Sequence, residues 1–150
     1  MPYTRNDDGW FDYPAPTTGD DLISGLPREK NHFWGLGGDD LLFGRGGDDR
    51  LRGGAGDDWI EGGWGRDVLW GGPGRDVFVY KGPEAGRDKI KDFVPGEDVI
   101  LLDLRFYNSV EGITFDPETR KLVYDRDGEH HVIAKLNTAL FDVDRDIMLP

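Results

Sequence analysis

Residues 35–79 are five consecutive blocks of nine residues, which read GLGGDDLLF, GRGGDDRLR, GGAGDDWIE, GGWGRDVLW and GGPGRDVFV. The first and fourth positions of every block are Gly, the sixth is Asp and the eighth is a large apolar residue. Glycine accepts the positive φ angles of sharp turns, and three residues with an apolar centre can form a short strand. The period therefore predicts a coil in which six-residue turns alternate with three-residue strands.

Weaker copies of the block flank this array. Asp21 and Asn31 hold the sixth position of two degenerate copies before it, and Asp88 and Asp98 hold that position in two copies after it. Irregular terminal copies are expected in a stacked array, because an end copy faces something other than another repeat. We therefore expect the coil to extend over residues 17–104.

The remaining segments differ in composition. Residues 1–16 form an arm rich in aromatic residues and proline. Residues 105–150 predict a β-strand cap on the coil, because turn-forming residues separate three short apolar stretches. The predicted strands of this cap, a β-meander, are residues 112–115, 121–124 and 131–136. No segment of the chain predicts a helix.

Two blocks complete one turn of the coil, so each block stacks on the second block after it. Position eight then points inward from both sides, and its residues form a narrow shared core: Ile23, Phe33, Leu42, Leu51, Ile60, Leu69 and Phe78. By the same rule the acidic position forms two rows. One row holds Asp21, Asp40, Asp58 and Asp76, and the other holds Asn31, Asp49, Asp67 and Asp88.

Stacked glycine turns that each carry one carboxylate predict calcium sites. Successive carbonyl groups of an extended turn face opposite ways, so two turns about 4.8 Å apart enclose a set of oxygens. Oxygen ligands in a partly flexible cage favour Ca²⁺ over Mg²⁺, which requires a tighter octahedron. Zn²⁺ prefers His or Cys, and residues 35–79 contain neither. Pairing neighbours within each row predicts about five or six ions.

The predicted ligands are the side chains at position six and backbone carbonyls of the turns. The side chains are those of Asp21, Asn31, Asp40, Asp49, Asp58, Asp67, Asp76, Asp88 and Asp98. The carbonyls are those of Gly35, Gly37, Gly38, Gly44, Gly46, Gly47, Gly53, Gly54, Ala55, Gly56, Gly62, Gly63, Trp64, Gly65, Gly71, Gly72 and Gly74. Without metal the rows of Asp repel and the core is thin, so we expect a disordered chain that folds when calcium binds.

The charge of the chain is consistent with cation binding. Acidic residues outnumber basic ones 30 to 18 among 150 residues, which gives a net charge of −12. This balance argues against nucleic acid and against an anionic membrane as partners. There is no Cys, so disulfides and thiolate sites are excluded. The N-terminus lacks the features of a signal peptide, and no apolar stretch is long enough to insert across a membrane.

These blocks resemble the RTX (repeats-in-toxin) calcium-binding nonapeptide GGxGxDxUx. Residues 86–100 also resemble the segment after the repeats in serralysin-type proteases and in alginate epimerase R-modules. The resemblance implies an all-β fold, a parallel β-roll. This roll is a calcium-stapled right-handed coil with a C-terminal β-strand cap.

The resemblance also implies a route and a location. Proteins of this family leave Gram-negative bacteria unfolded through type I secretion machinery, and external calcium folds them. Residues 142–150 resemble the acidic-then-apolar secretion signal at the C-terminus of several members. The same residues also read as a final strand of the cap, and the two interpretations are compatible.

The outward positions of the blocks are unusually apolar. Positions seven and nine carry Leu41, Phe43, Trp59, Val68, Trp70, Val77 and Val79. One face presents Leu41, Trp59 and Val77 in a line, and such a face requires a cover. The aromatic arm or the cap of the same chain could cover it. Alternatively, a second copy of the chain in a homodimer or a passenger protein covers it, and the candidate partner surface is then Leu41, Trp59 and Trp70. A glycan platform of Trp59, Trp64 and Trp70 is a further alternative.

No residue pattern indicates catalysis. The chain has no HExxH motif, and neither of its two Ser lies in a nucleophile elbow. Two functions remain open. The first is a calcium-responsive folding and secretion module, free-standing or part of a larger exported protein. The second is a calcium-dependent polysaccharide- or protein-binding module of a secreted enzyme or adhesin, for which a basic groove would draw on Arg45, Arg50, Arg52, Arg66 and Arg75.

Overall fold

The computed structural model describes residues 4–5, 11–12, 17–82, 87–103, 105, 107, 111–126 and 128–149. These residues are almost entirely strands and turns. The strands are β1 (Thr4–Arg5), β2 (Phe11–Asp12), β3 (Leu22–Ser24), β4 (Asn31–Gly37), β5 (Leu41–Phe43), β6 (Arg50–Ala55), β7 (Trp59–Glu61), β8 (Val68–Trp70), β9 (Val77–Tyr80), β10 (Asp88–Ile90), β11 (Val99–Leu102), β12 (Ile113–Asp116), β13 (Lys121–Arg126), β14 (Glu129–Lys135) and β15 (Ile147–Met148); the one helix among them is α1 (Val143–Asp146).

Successive strands of the repeats alternate between two sheets. Sheet A has nine strands in the order β1-β2-β4-β6-β8-β10-β14-β13-β12, and sheet B has six in the order β15-β11-β9-β7-β5-β3. Neighbouring repeat strands pair in parallel, with Leu42 opposite Ile60 and Leu51 opposite Leu69. Each pair is two nonapeptides apart. The structure therefore confirms the predicted parallel β-roll.

The core is a single file of apolar side chains between the sheets. All seven predicted position-eight residues are buried, and Leu42, Leu51, Ile60 and Phe78 are fully inaccessible. Ile90 and Ile100 continue the same file into the later turns. Each three-residue repeat strand, such as β5, β7 or β8, thus contributes one large side chain to the core. Burial of such a side chain stabilises the fold by about 1.5–3 kcal/mol.

The predicted cap strands are present within two residues of their expected ends. β12, β13 and β14 form an antiparallel meander. β14 also pairs in parallel with β10, so the meander continues sheet A. Leu122, Ile133 and Leu136 of this segment belong to the same apolar core as the roll.

The C-terminal segment contains a helix that the sequence did not predict. Asp142 caps α1 because its carboxylate accepts hydrogen bonds from the N–H groups of Asp144 and Arg145. A helix of one turn is too short to show an apolar period. After it, β15 pairs in parallel with β11, so the predicted final strand exists and extends sheet B. In the part of the chain that the structure describes, no helix is long and apolar enough to cross a membrane.

Candidate metal centre

The acidic positions form two buried rows, each linked by backbone hydrogen bonds. The N–H of Asp40 donates to Oδ1 of Asp58 at 2.9 Å, and the N–H of Asp58 donates to Oδ1 of Asp76 at 3.0 Å. In the other row, the N–H of Asp49 donates to Oδ1 of Asp67 at 2.8 Å. The same kind of hydrogen bond joins the degenerate copies to the regular blocks. The N–H of the first residue donates to Oδ1 of the second in the pairs Asp21–Asp40, Asn31–Asp49, Asp67–Asp88 and Asp76–Asp98. The structure therefore places these side chains in the two predicted rows and adds Asp98 to the end of the first row.

The second carboxylate oxygen has no partner in most of these residues. Oδ2 is buried and makes no hydrogen bond to the described residues in Asp40, Asp49, Asp58, Asp67, Asp76 and Asp88. A buried polar atom without a partner costs about 1–3 kcal/mol, and more when it is charged. A cation beside each Oδ2 would remove this penalty.

The first glycine of each block shows what lies in front of this oxygen. A Cβ atom built on Gly35 would be 1.9 Å from Oδ2 of Asp40 and 2.4 Å from the carbonyl oxygen of Gly53. On Gly44 it would be 2.4 Å from Oδ2 of Asp49 and equally close to the carbonyl oxygen of Gly62. A carboxylate and a carbonyl of the next turn thus converge on one point. These two oxygens fit a hard cation such as Ca²⁺, and a side chain on the glycine would fill the space.

Several of the predicted carbonyl ligands also hold the turns together. The carbonyl oxygens of Ala55, Trp64 and Gly71 accept hydrogen bonds of 2.9 Å from the preceding turn on the same side. A carbonyl oxygen has two lone pairs, so each can accept one further interaction. No three carboxylate, imidazole or thiol side chains gather at one point within the described ranges. The oxygens around each Oδ2 therefore come from the backbone as well as from Asp.

The ends of the rows differ from their middle. Oδ2 of Asp21 accepts hydrogen bonds from the N–H and the hydroxyl of Thr17, at 2.7 and 2.9 Å. Oδ2 of Asp98 accepts one from the N–H of Val94 at 2.8 Å. At Asn31 the side chain carries a hydrogen-bond donor where the other blocks have Oδ2. Protein groups therefore satisfy Asp21, Asn31 and Asp98, whereas Oδ2 of Asp88 at the other end of the second row has no hydrogen-bond partner among the described residues.

Burial makes these carboxyl groups hard to ionise in the absence of a cation. It raises the pKa of Asp49 and of Asp76 to about 7, with a smaller contribution from the charge of a neighbouring Asp. It raises the pKa of Asp58 and of Asp67 to about 6. For Asp88, burial and then the charge of Asp67 raise the pKa well above its ordinary value. A divalent cation would reverse this preference, because it stabilises the ionised form.

The second position of each block requires a left-handed backbone. Leu36 and Arg45 occupy it with φ of 78° and 76°, and glycine occupies it in the three later blocks. A Cβ on Gly54 would be 2.4 Å from the carbonyl oxygen of Leu36, and one on Gly63 would be 2.2 Å from that of Arg45. Position-two residues stack on those of every second block, and Leu36 and Arg45 come first among the regular blocks on their two sides. Both side chains are exposed.

The apolar outer row lies on sheet B. Leu22, Leu41, Trp59, Val77 and Val99 are consecutive cross-strand neighbours, which confirms the predicted line and lengthens it at both ends. Leu22 is 70% exposed and Leu41 is 44% exposed. The meander does not cover this row, because it extends sheet A. Trp10 and Tyr13 of the aromatic arm lie outside the described residues.

Trp70 is not part of that row, so the proposed surface of Leu41, Trp59 and Trp70 is wrong as one patch. Consecutive blocks alternate between the sheets, and Trp59 lies in β7 of sheet B whereas Trp70 lies in β8 of sheet A. The guanidinium of Arg52 lies 4.4 Å from the centroid of the Trp70 ring. The platform of Trp59, Trp64 and Trp70 is excluded for the same reason.

The outer face of sheet A is cationic although the chain is acidic. Arg50 is aligned with Val68, and Lys89 lies between Val68 and Lys135. Two adjoining grooves share Lys89; one also contains Lys91, Arg120 and Lys135, and the other contains Arg66 and Arg87. The sequence missed the lysines, because they meet only when β10 pairs with β14. Arg75, by contrast, is paired with Asp57 at 3.2 Å.

The nonapeptide repeats match a known family model. Residues 29–51 and 43–78 match the family model of the RTX calcium-binding nonapeptide repeat. No curated protein matches the chain. Among solved structures, the AlgE6R3 subunit from the Azotobacter vinelandii mannuronan C5-epimerase is 25% identical, with a TM-score of 0.40 over 90% of this chain and 81% of that one. The AlgE6R2 subunit of the same enzyme is 24% identical, with a TM-score of 0.38 over 90% and 92% of the two chains.

Proposed function

We propose that this protein is an extracellular module that folds when calcium binds, because residues 29–51 and 43–78 match the family model of the RTX calcium-binding nonapeptide repeat. The observation that carries the proposal is the set of six buried Oδ2 atoms without a hydrogen-bond partner. The residues that would hold the ions are Asp40, Asp58 and Asp76 in one row and Asp49, Asp67 and Asp88 in the other, together with carbonyls of the stacked turns. One ion beside each of these six Oδ2 atoms would give about six ions.

The same rows explain why folding would depend on the metal. Successive carboxylates of a row are so close that the backbone N–H of one donates to the next. Buried like charges oppose folding unless they are compensated. The single file of core side chains offers little apolar surface to offset that penalty. The free energy of calcium binding then becomes free energy of folding.

A calcium titration tests the proposal. Far-UV circular dichroism and tryptophan fluorescence should show a cooperative gain of β-structure with Ca²⁺ and none with Mg²⁺ at the same concentration. D58N should raise the calcium concentration needed for folding, because it removes a buried charge that faces the cation. D57N is the matched control, since Asp57 is exposed and paired with Arg75. A chain that is fully folded in excess chelator would contradict the proposal.

We further propose that the chain leaves a Gram-negative bacterium through type I secretion machinery. A calcium-poor cytoplasm would keep the rows of Asp unpaired and the chain unfolded, whereas external calcium would fold it. Secretion of the chain should require a co-expressed type I exporter. Variants that replace the acidic residues of 142–146 should separate a signal function from the structural function of α1 and β15. If they abolish secretion but leave calcium-dependent folding intact, the segment is the signal.

A second candidate function is calcium-dependent binding of an anionic polysaccharide. The cationic face of sheet A favours it, because Arg52 stacks on Trp70 and Lys89 joins two basic grooves. Guanidinium groups bind carboxylates with fixed geometry, and an indole ring offers a flat apolar surface. A glycan array at saturating calcium tests this role. R52A should lose retention of acidic glycans and R75A should keep it; equal binding by both variants would exclude this face.

A further inference from the structure

Asn31 occupies the acidic position of its block but makes a different set of contacts from every Asp. It is completely buried. Its Oδ1 accepts a hydrogen bond of 3.0 Å from the N–H of Leu26. Its Nδ2 lies 2.9 Å from the carbonyl oxygen of Glu29 and 2.9 Å from Oδ1 of Asp49. The carbonyl oxygens of Leu26 and Gly44 lie at 3.3 and 3.2 Å from the same nitrogen.

The surroundings determine the orientation of this amide. Nδ2 faces four oxygens, none of which carries a hydrogen, and Oδ1 faces an N–H group. The opposite orientation would place an acceptor against four acceptors and a donor against a donor. The amide therefore cannot turn its oxygen toward the carbonyl groups without losing all of these hydrogen bonds.

A direct comparison with a regular block shows what the nitrogen replaces. A Cβ on Gly35 would meet Oδ2 of Asp40 and the carbonyl oxygen of Gly53, at 1.9 and 2.4 Å. On Gly25, the corresponding glycine, it would meet the carbonyl oxygen of Gly44 at 2.4 Å and Nδ2 of Asn31 at 2.7 Å. The point where two oxygens converge in the regular block thus has one oxygen and an NH₂ group here.

We propose that the turn at Asn31 does not bind calcium, because the amide NH₂ of Asn31 already donates hydrogen bonds to the oxygens that would otherwise face a cation. This inference rests on the proposed calcium binding by the rows, and it corrects the expectation that Asn31 is a ligand. An NH₂ group repels a cation and satisfies the same oxygens without one. The second row therefore binds calcium only from Asp49 onward, and its first turn is closed without metal.

Ion counting by native mass spectrometry at saturating calcium tests the proposal. N31D should bind one calcium more than the wild-type protein, because it restores the carboxylate and removes the NH₂ group. N31A should bind the same number as the wild-type protein. N137D is the matched control for the added charge, since Asn137 is exposed, and its ion count should not change.

Loss of an ion in N31A would overturn the proposal, because it would make Asn31 a ligand. No gain of an ion in a folded N31D would also overturn it. A wild-type protein that binds no calcium would instead refute the proposed function.

Discussion

At the scale of single residues, the two oxygens of each position-six carboxylate act in different directions. Oδ1 accepts the backbone N–H of the preceding turn, so it fixes the stacking of the chain, while Oδ2 faces the carbonyl of the following turn. At Asn31, Oδ1 instead accepts the N–H of Leu26 from its own turn, and Nδ2 takes the place of Oδ2. The identity of one atom at position six therefore separates a candidate calcium turn from a turn that is closed without metal.

Glycine at position one should be indispensable. A Cβ in G53A would lie 2.0 Å from Oδ2 of Asp58, so the variant should displace the carboxylate and raise the calcium concentration needed for folding at least tenfold. In the control G37A the Cβ would lie 3.4 Å from the nearest atom, the carbonyl oxygen of Ala55, and the midpoint should change little. A calcium titration followed by circular dichroism measures both. Equal midpoints would show that the space beside Oδ2 is not used.

Glycine at position two should stabilise the first block. Leu36 has φ of 78°, which costs a non-glycine residue about 1–2 kcal/mol. L36G should relieve this strain and, after the entropy that glycine loses on folding, raise the free energy of unfolding by up to about 1 kcal/mol. Thermal unfolding in saturating calcium measures the change. L41G, in an extended strand, should be destabilising, and a loss of stability in both variants would contradict the strain argument.

At the scale of elements, each repeat contributes a short strand, of only three residues in β5, β7 and β8, that cannot form alone. Leu42 in β5 and Leu51 in β6 reach the same core from opposite sheets, and each strand has only its parallel neighbours and the facing sheet for support. The elements after the regular blocks are supported by other contacts. β12 to β14 pair as an antiparallel meander, and Arg145 of α1 binds the buried Asp146 carboxylate through Nε and one terminal nitrogen at 2.6 and 2.7 Å.

Truncation of one core side chain should weaken the whole roll. Leu51 is fully inaccessible, so L51A should lower the free energy of unfolding by about 2–5 kcal/mol. Under the proposed coupling of folding to calcium binding, the calcium midpoint should rise as well. R50A, on the exposed side of the same strand, is the control and should lose less than about 1 kcal/mol. Chemical denaturation at fixed free calcium compares the two, and similar losses would mean that β6 does not fold as part of a shared core.

At the scale of the whole molecule, the distribution of charge is uneven. The chain has a net charge of −12, yet many of its carboxylates lie inside the roll and basic residues cover the outside of sheet A. Calcium would neutralise the interior rows and leave that basic face exposed to solvent. Folding and presentation of the basic face would therefore be controlled by the same ion.

Acidification should partly replace calcium. Without a cation, the pKa of Asp49 and of Asp76 is about 7 in the folded roll, against an ordinary value of 3.8. The folded chain then binds more protons than the unfolded chain between about pH 4 and pH 7, so its free energy of unfolding falls as pH rises through that window. In excess chelator, circular dichroism should show more β-structure at pH 5 than at pH 8.

The calcium response should have the opposite pH dependence. Calcium and protons compete for the same carboxylates, so the apparent affinity for calcium should rise from about pH 5 to pH 7 and then level off. Titrations at fixed free calcium and several pH values measure this slope. A metal-free protein that gains structure between pH 5 and pH 8 would contradict both expectations, because it would mean that the carboxyl groups are not protonated in the folded state.

The nonapeptide period by itself determined the roll, its core and the positions of the acidic rows. It could do so because a strict repeat places every equivalent residue in the same surroundings: once Leu42 is known to point inward, Leu51 and Ile60 must do so too. The alternation of the blocks between two sheets also follows from the period, so Trp59 and Trp70, which belong to consecutive blocks, cannot lie on one surface.

Only the tertiary structure decided what happens where the repeat breaks. Thr17 and Val94 donate hydrogen bonds to the carboxylates of Asp21 and Asp98, and the amide nitrogen of Asn31 takes the place of Oδ2. These contacts depend on irregular turns. The pairing of β10 with β14 brings Lys89 next to Lys135, two residues that are 46 positions apart in the sequence. A periodic pattern carries no information about such contacts, because they form between segments that have no equivalent elsewhere in the chain.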